Sequence, residues 1–428
     1  MKINTRIILK VNSVDLGFLF LLIIGFLVRP EMRLVLTIGY IILHSVKDGV
    51  IYKRIHQQEN LFIFIFIIGI LMDYYSGNNS SAHALIRYMY YTLSPIAYLY
   101  AGYITYQRSG IDKICKTIAL ASYVNIIWVI INLVSKTRLY GFGFDTLRDS
   151  KAYISQLMVC IIFIYIVSEQ RQFNISGYVS KCWLTLDVIL LLITFSRTYF
   201  LELITGFIVY TALFLNRKKY YKQMALIAII LLTTLVVVLN NKELNGLFMD
   251  FIQKLAMSST ELSTNRSWDF YDINNSWRGY EAYMAQRQFL QSDILQKIFG
   301  HGARGLYVGT SISTIVSKDV TDGYLPVLHN GYYGMLTYAG VIGIILYFYF
   351  YFRKVILGIQ VYKRLGDPFA AFIVIFVAIN IVSTYVIMGI VSPDGAAIPC
   401  LVIGSVYAYV YKIAHRSSIN MRVGLRNG

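Results

Sequence analysis

Residues 327–346 read VLHNGYYGMLTYAGVIGIIL. His329 and Asn330 stand side by side where that apolar run begins. A neutral imidazole can take a proton near physiological pH, and an asparagine can hold a sugar hydroxyl or orient the ring. The same pair also reads as a helix cap with a histidine at the interface beside it. Arg197 sits in LLLITFSRTYFLELI, with apolar residues on both sides. An ionised side chain near membrane depth is costly and faces either a partner or a wet cavity. In a short outer turn it would instead snorkel to the headgroups.

A third stretch, NNSWRGYEAYMAQRQFLQSDILQKIFGHGARG at 274–305, carries Trp277, Tyr280 and Met284 at helical spacing. That pattern predicts a helix from Asn274 to Phe299 lying on the bundle or the membrane surface. Arg278 and Glu281, three apart, are placed to pair. GHGARG matches G-x-G-x-x-G, but a dinucleotide fingerprint needs a preceding strand and a βαβ unit. Here the glycines follow a helix, so they read as its end and a turn. A metal site wants clustered His, Cys or carboxylate ligands, and no such spacing is present; no cofactor is expected. The four cysteines form neither a disulfide framework nor a metal motif.

These residues need elements to hold them. Of 428 residues, 57% are hydrophobic and 14% charged, against about 25% charged in a soluble domain. Apolar runs long enough to span a bilayer, about 20 residues, recur along the chain. The fold class is all-α, a polytopic bundle of about 12 transmembrane helices. Span centres fall at 16–28, 34–46, 61–76, 85–106, 114–134, 153–167, 183–196, 199–215, 224–239, 328–352, 368–390 and 396–412. The domains are 1–239 with nine helices, an extracytoplasmic loop at 240–327, and 328–428 with three helices and a tail. A smaller outer loop is Lys136–Lys151. The net charge of +17 would suggest nucleic acid in a soluble protein. Here Lys and Arg cluster between apolar runs, as in Arg217-Lys218-Lys219 and Lys53-Arg54, which is the positive-inside pattern. Both termini are expected in the cytoplasm, with no nucleic-acid partner. The first apolar run ends in Val28-Arg29-Pro30 without a small-residue cleavage site, so no cleavable signal peptide is expected.

Together these features resemble the superfamily of O-antigen polymerases and O-antigen ligases. The likeness rests on a large outer loop after the ninth span and on Ser196-Arg197 at the outer end of the seventh. It rests also on the Arg278 loop helix running into Gly300-His301-Gly302, and on His329-Asn330 followed by Gly340 and Gly343. The layout covers nearly the whole chain, the motifs about 183–346. The family's proline before the loop glycines is absent, and the spacing from Arg278 to them is long. Arg266 and Arg287 are therefore alternatives to Arg278.

The resemblance implies an inverting, metal-independent glycosyltransferase of the bacterial inner membrane, working at its periplasmic or outer face. Its donor would be a glycan on undecaprenyl pyrophosphate. Its acceptor would be a second glycan in a polymerase, the favoured reading, or lipid A core in a ligase. Membrane lipids and a chain-length regulator protein are the further partners implied. His329 would be the catalytic base, and Arg197 and Arg278 would bind the pyrophosphate. Asn330, Arg266, Arg287, Arg138 and Arg148 would contact substrate. A lipid-linked oligosaccharide flippase is the non-enzyme alternative. Transporters often show internal repeats and helices broken at mid-membrane; this chain has no clear repeat and gathers its polar residues at one face.

Overall fold

The computed structural model describes residues 14–48, 60–77, 80–141, 155–169, 181–193, 196–214, 276–309, 323–325, 328–392 and 395–424, with scattered positions at 143, 146 and between 225 and 273. Arg148 and Arg266 lie outside the described residues, as do most of the expected span at 224–239 and much of the large loop.

The described helices are α1 (Leu16–Leu27), α2 (Pro30–Asp48), α3 (Asn60–Tyr75), α4 (Ala82–Tyr140), α5 (Gln156–Glu169), α6 (Lys181–Ile193) and α7 (Arg197–Phe214). After the loop come α8 (Trp277–Gln291), α9 (Ile294–Phe299), α10 (Gly331–Leu365), α11 (Pro368–Val386) and α12 (Ala397–Gly424). Five are long and apolar enough to cross a membrane: α4, α7, α10, α11 and Ala397–Arg416 of α12. The apolar helices α1, α3 and α5 are shorter. This is an all-α polytopic membrane protein.

At 59 residues, α4 would extend about 88 Å, against a hydrocarbon core of about 30 Å. It is broken at Gly110, whose φ of 71° and ψ of 168° are not helical. Its halves are the two spans the sequence separates at 85–106 and 114–134. The helix runs on through Tyr140, so Lys136 is helical and Arg138 belongs to the last turn, not to a loop. One small departure from all-α is a two-residue ribbon, β1 (Leu306–Tyr307) antiparallel to β2 (Tyr324–Leu325).

The core follows from composition. In α5 every residue from Leu157 to Ser168 is buried, and in α11 every residue from Pro368 to Val377. A helix apolar on all sides belongs inside the bundle. Without a hydrophobic drive between helices in lipid, small residues allow close packing. A Cβ on Gly102 of α4 would stand 2.4 Å from the Leu401 carbonyl oxygen of α12. One on Gly404 would stand 2.3 Å from that of Leu99.

Contacts between helix ends define two poles. At one, the Tyr362 hydroxyl of α10 donates to the Leu213 carbonyl of α7 at 3.1 Å. There too the Tyr409 hydroxyl of α12 donates to Asp367 at 2.7 Å, and Arg108 lies 2.9 Å from His44. Arg108, Lys113, Lys363, Arg364 and Lys412 sit on this pole's turns or within a turn of them. The opposite pole holds the loop helices, the start of α10 and the end of α11. Because α7 and the long part of α10 meet at their C-terminal ends, Arg197 at the start of α7 faces the same pole as His329.

Candidate functional site

Local sequence explains how the loop is shaped. Asp293 forms a capping box with Gln296, each side chain engaging the other residue's backbone. It therefore starts a new helix, and the single helix expected over Asn274–Phe299 is two, α8 and α9, meeting at Ser292. Gly300 ends α9 with φ of 84°, and Gly302 and Gly305 follow at 90° and 95°. The glycine run is a chain reversal, as its sequence suggests.

This reversal sets the height of the site. A Cβ on Gly300 would fall 2.5 Å from the Ala339 nitrogen, and one on Gly340 would fall 2.4 Å from the Ile298 carbonyl oxygen. Backbone thus lies directly on backbone. The His301 amide donates to the Thr337 carbonyl at 2.7 Å. Gly340 itself has φ of 62° and ψ of −158°, which breaks α10. The span expected to run unbroken over 328–352 is a short segment to Ala339 and a long one from Val341. Gly302 is pressed equally closely on Asp73 at the end of α3.

The clamp delivers α8 to His329. Glu281 is buried, at 2% exposure, and both its oxygens engage the histidine. The His329 amide donates to Oε2 at 2.8 Å. The ring Nδ1 lies 3.0 Å from Oε1 and 3.2 Å from Oε2. From the other side, the Met388 amide donates to the His329 carbonyl at 2.8 Å. The ring remains 47% exposed. A carboxylate only accepts, so Nδ1 carries a hydrogen, and in the neutral imidazole Nε2 then holds the lone pair. Such an arrangement fixes the tautomer of a neutral imidazole and suits it to accept a proton at Nε2.

The other expected residues distribute as follows. Asn330 is the N-cap of α10, its side chain accepting from the Tyr332 and Tyr333 amides at 3.0 and 3.3 Å. Arg278 is half-buried, one turn ahead of Glu281 on the same helix, and residues so spaced are neighbours on the helix surface. Arg197 is half-buried at the first position of α7. Arg287 is exposed on α8, and Arg138 is exposed at the end of α4. Among the described residues, no group of three or more His, Cys, Asp or Glu could hold a metal ion.

Glu281 was not among the residues that sequence singled out for chemistry. Its sequence neighbour, Arg278, suggests a surface ion pair; its histidine partner lies 48 positions away. The available signal was an acid on the inner side of a helix, next to Tyr280 and Ala282, both also buried. A second feature lies along α8, a cleft of about 830 Å³ lined by Tyr280, Tyr283, Arg287 and His301 among others. Burial lowers the His301 imidazole pKa from its usual value, although Asp293 nearby raises it. Its Nε2 is 2.7 Å from the Ser292 hydroxyl.

Comparison with known proteins gives one family. Residues 182–348 match the family model described as O-antigen ligase. That stretch, from α6 into the long part of α10, is where the chain is similar to O-antigen ligases, in support of the resemblance read from the sequence. The match spans the start of α7, the loop helices and His329. No curated protein matches the sequence.

Proposed function

We propose that the protein is a membrane glycosyltransferase that moves a glycan from undecaprenyl pyrophosphate onto a sugar hydroxyl at the extracytoplasmic face. The observation that carries this reading is the grip of Glu281 on His329. Nε2 takes the proton of the acceptor hydroxyl. The hydroxyl oxygen bonds to the donor's anomeric carbon as the bond from that carbon to the pyrophosphate oxygen breaks. The bonding electron pair leaves with the pyrophosphate, and attack from the opposite face inverts the anomeric configuration. A positioned general base contributes about 10²–10⁴-fold to such a step.

Negative charge grows on the departing pyrophosphate. Guanidinium groups stabilise it through paired hydrogen bonds, and Arg278, a turn from Glu281, and Arg197, at the same pole, serve that role without a metal. Arg266 and Arg287 are the substitutes for Arg278; Asn330, Arg138 and Arg148 belong to the sugar-contacting set. We read the site as facing away from the cytoplasm because the short connections at the other pole carry Arg108, Lys113, Lys363 and Arg364, and Lys and Arg in short connections mark the cytoplasmic side. That orientation puts both termini in the cytoplasm and the site at the outer face of the inner membrane, with the loop at 240–327 outside. A polyprenyl tail in lipid and sugars in water meet at such a surface.

Polymerisation of lipid-linked repeat units is the first reading. Ligation to lipid A core is the second, favoured by the description of the matching family model. One experiment separates them. Purified protein is given undecaprenyl-pyrophosphate glycan with and without lipid A core. A ladder without core identifies a polymerase, and product only with core a ligase. Absence of product in both arms, or full activity of His329→Ala, refutes the proposal.

A further inference from the structure

We infer that the cleft along α8 is an oligosaccharide subsite, holding sugars several residues away from the reacting hydroxyl. This rests on the glycosyltransferase reading and adds where the glycan lies. The helix presents Tyr280, Tyr283, Met284, Arg287, Gln288 and Gln291 to the cleft, a stripe at the spacing of one helical face. Glu281, on a neighbouring side of the same helix, faces His329. The helix is about 10–12 Å across with its side chains. A glycan lying in the cleft therefore passes round α8 to reach the base.

The lining suits sugar and little else. Tyr307 from β1 forms the opposite wall, and its amide donates to the Gln288 side chain at 3.1 Å. Trp268 stands at one end, its ring 5.5 Å from Tyr280 and 5.7 Å from Tyr283. Sugar rings stack their C–H faces on such rings, while their hydroxyls need donors and acceptors. Glutamine amides and the Arg287 fork supply these. The Trp268 indole nitrogen is buried with no hydrogen-bond partner among the described residues, an unusual state for a buried polar group. Among the described residues, no Asp or Glu lines the cleft. A lipid tail would want an apolar wall, which four amide or hydroxyl side chains, Gln288, Gln291, Ser292 and Gln296, interrupt. A volume of about 830 Å³ falls in the range of small-ligand sites, about 300–1,000 Å³, and so suits a few sugar rings.

The test uses full-length protein in nanodiscs and, as probe, free oligosaccharide released by mild acid from the lipid-linked pool of the host cells. Titration should quench tryptophan fluorescence saturably, and Trp268→Phe should remove most of that signal. Tyr283→Ala and Arg287→Ala should each raise Kd at least about tenfold while melting like the parent protein. Arg287 is exposed, so its variant remains informative if the tyrosine variant misfolds. His329→Ala should bind like the parent but transfer at least about 10²-fold more slowly. No saturable binding by the parent protein, or unchanged Kd in the cleft variants, overturns the inference. Parent protein that binds the free glycan yet never transfers from a lipid-linked donor refutes the function and leaves the cleft standing.

Discussion

At the basic pole, Asp367 accepts from the Phe369 and Ala370 amides of its own helix and from the Tyr409 hydroxyl. Asp15 likewise takes the Phe18 amide and the Ser109 hydroxyl. Both acids are consumed in starting a helix and tying it to a neighbour. At the opposite pole Glu281 caps nothing. Both its oxygens go to one histidine, brought by a different element, whose second nitrogen is left for other work. Burial is similar in the three cases, at 6%, 7% and 2% exposure. On the proposed reading, what separates structure from chemistry here is therefore the partner of the acid and not its depth.

The largest effects should come from breaking the outer pair. His329→Ala is expected to lower glycan transfer by about 10²–10⁴-fold, measured as turnover of lipid-linked donor. Glu281→Gln keeps the shape but can donate as well as accept, so it releases the tautomer; a loss of about 10²-fold is expected within that same range. Asp367→Asn, the matched change at the basic pole, should leave turnover within a few-fold of the parent's. Equal losses at both poles would erase the contrast.

Next in size is the clamp. Gly340→Ala places a side chain against the Ile298 carbonyl and strains a left-handed backbone, costing about 1–3 kcal/mol from strain alone. Thermal melting in detergent should register it, with activity falling as α8 shifts from His329. Smaller still is the cap. Asn330→Ala should cost about 1 kcal/mol, and Asn330→Asp almost nothing. If the aspartate variant melts normally but loses transfer, the amide has a task with substrate beyond capping.

The smallest effect concerns pH. Burial holds His301 below its ordinary value, so the folded protein binds fewer protons there than the unfolded chain. Its contribution to stability is full above the unfolded value, about 6.5, and is lost as pH falls through it. The melting temperature should drop between pH 7 and pH 5.5, and less so in His301→Gln.

Much of the helical frame was legible because an apolar run of span length leaves few alternatives. The expected span at 85–106 falls within α4, and that at 368–390 covers α11 and overruns its end by four residues. His329 was legible because an ionisable group is conspicuous at the edge of an apolar run. Two things were hidden. Glu281 pairs across 48 positions, and local spacing points only to Arg278. The break in α10 arises from contact with Ile298–Gly300; a glycine inside a helical pattern does not by itself announce one. Asp293, by contrast, carried a readable capping box with Gln296, and giving it weight would have split the loop helix correctly.

His329 is fastened through its main chain as well as its ring, by an amide to Glu281 and a carbonyl to Met388. Replacing the side chain leaves both of those bonds intact. On the proposed reading, variants lacking the imidazole should therefore be well-ordered substrate traps, slow enough to hold donor and acceptor together for imaging of the loaded complex.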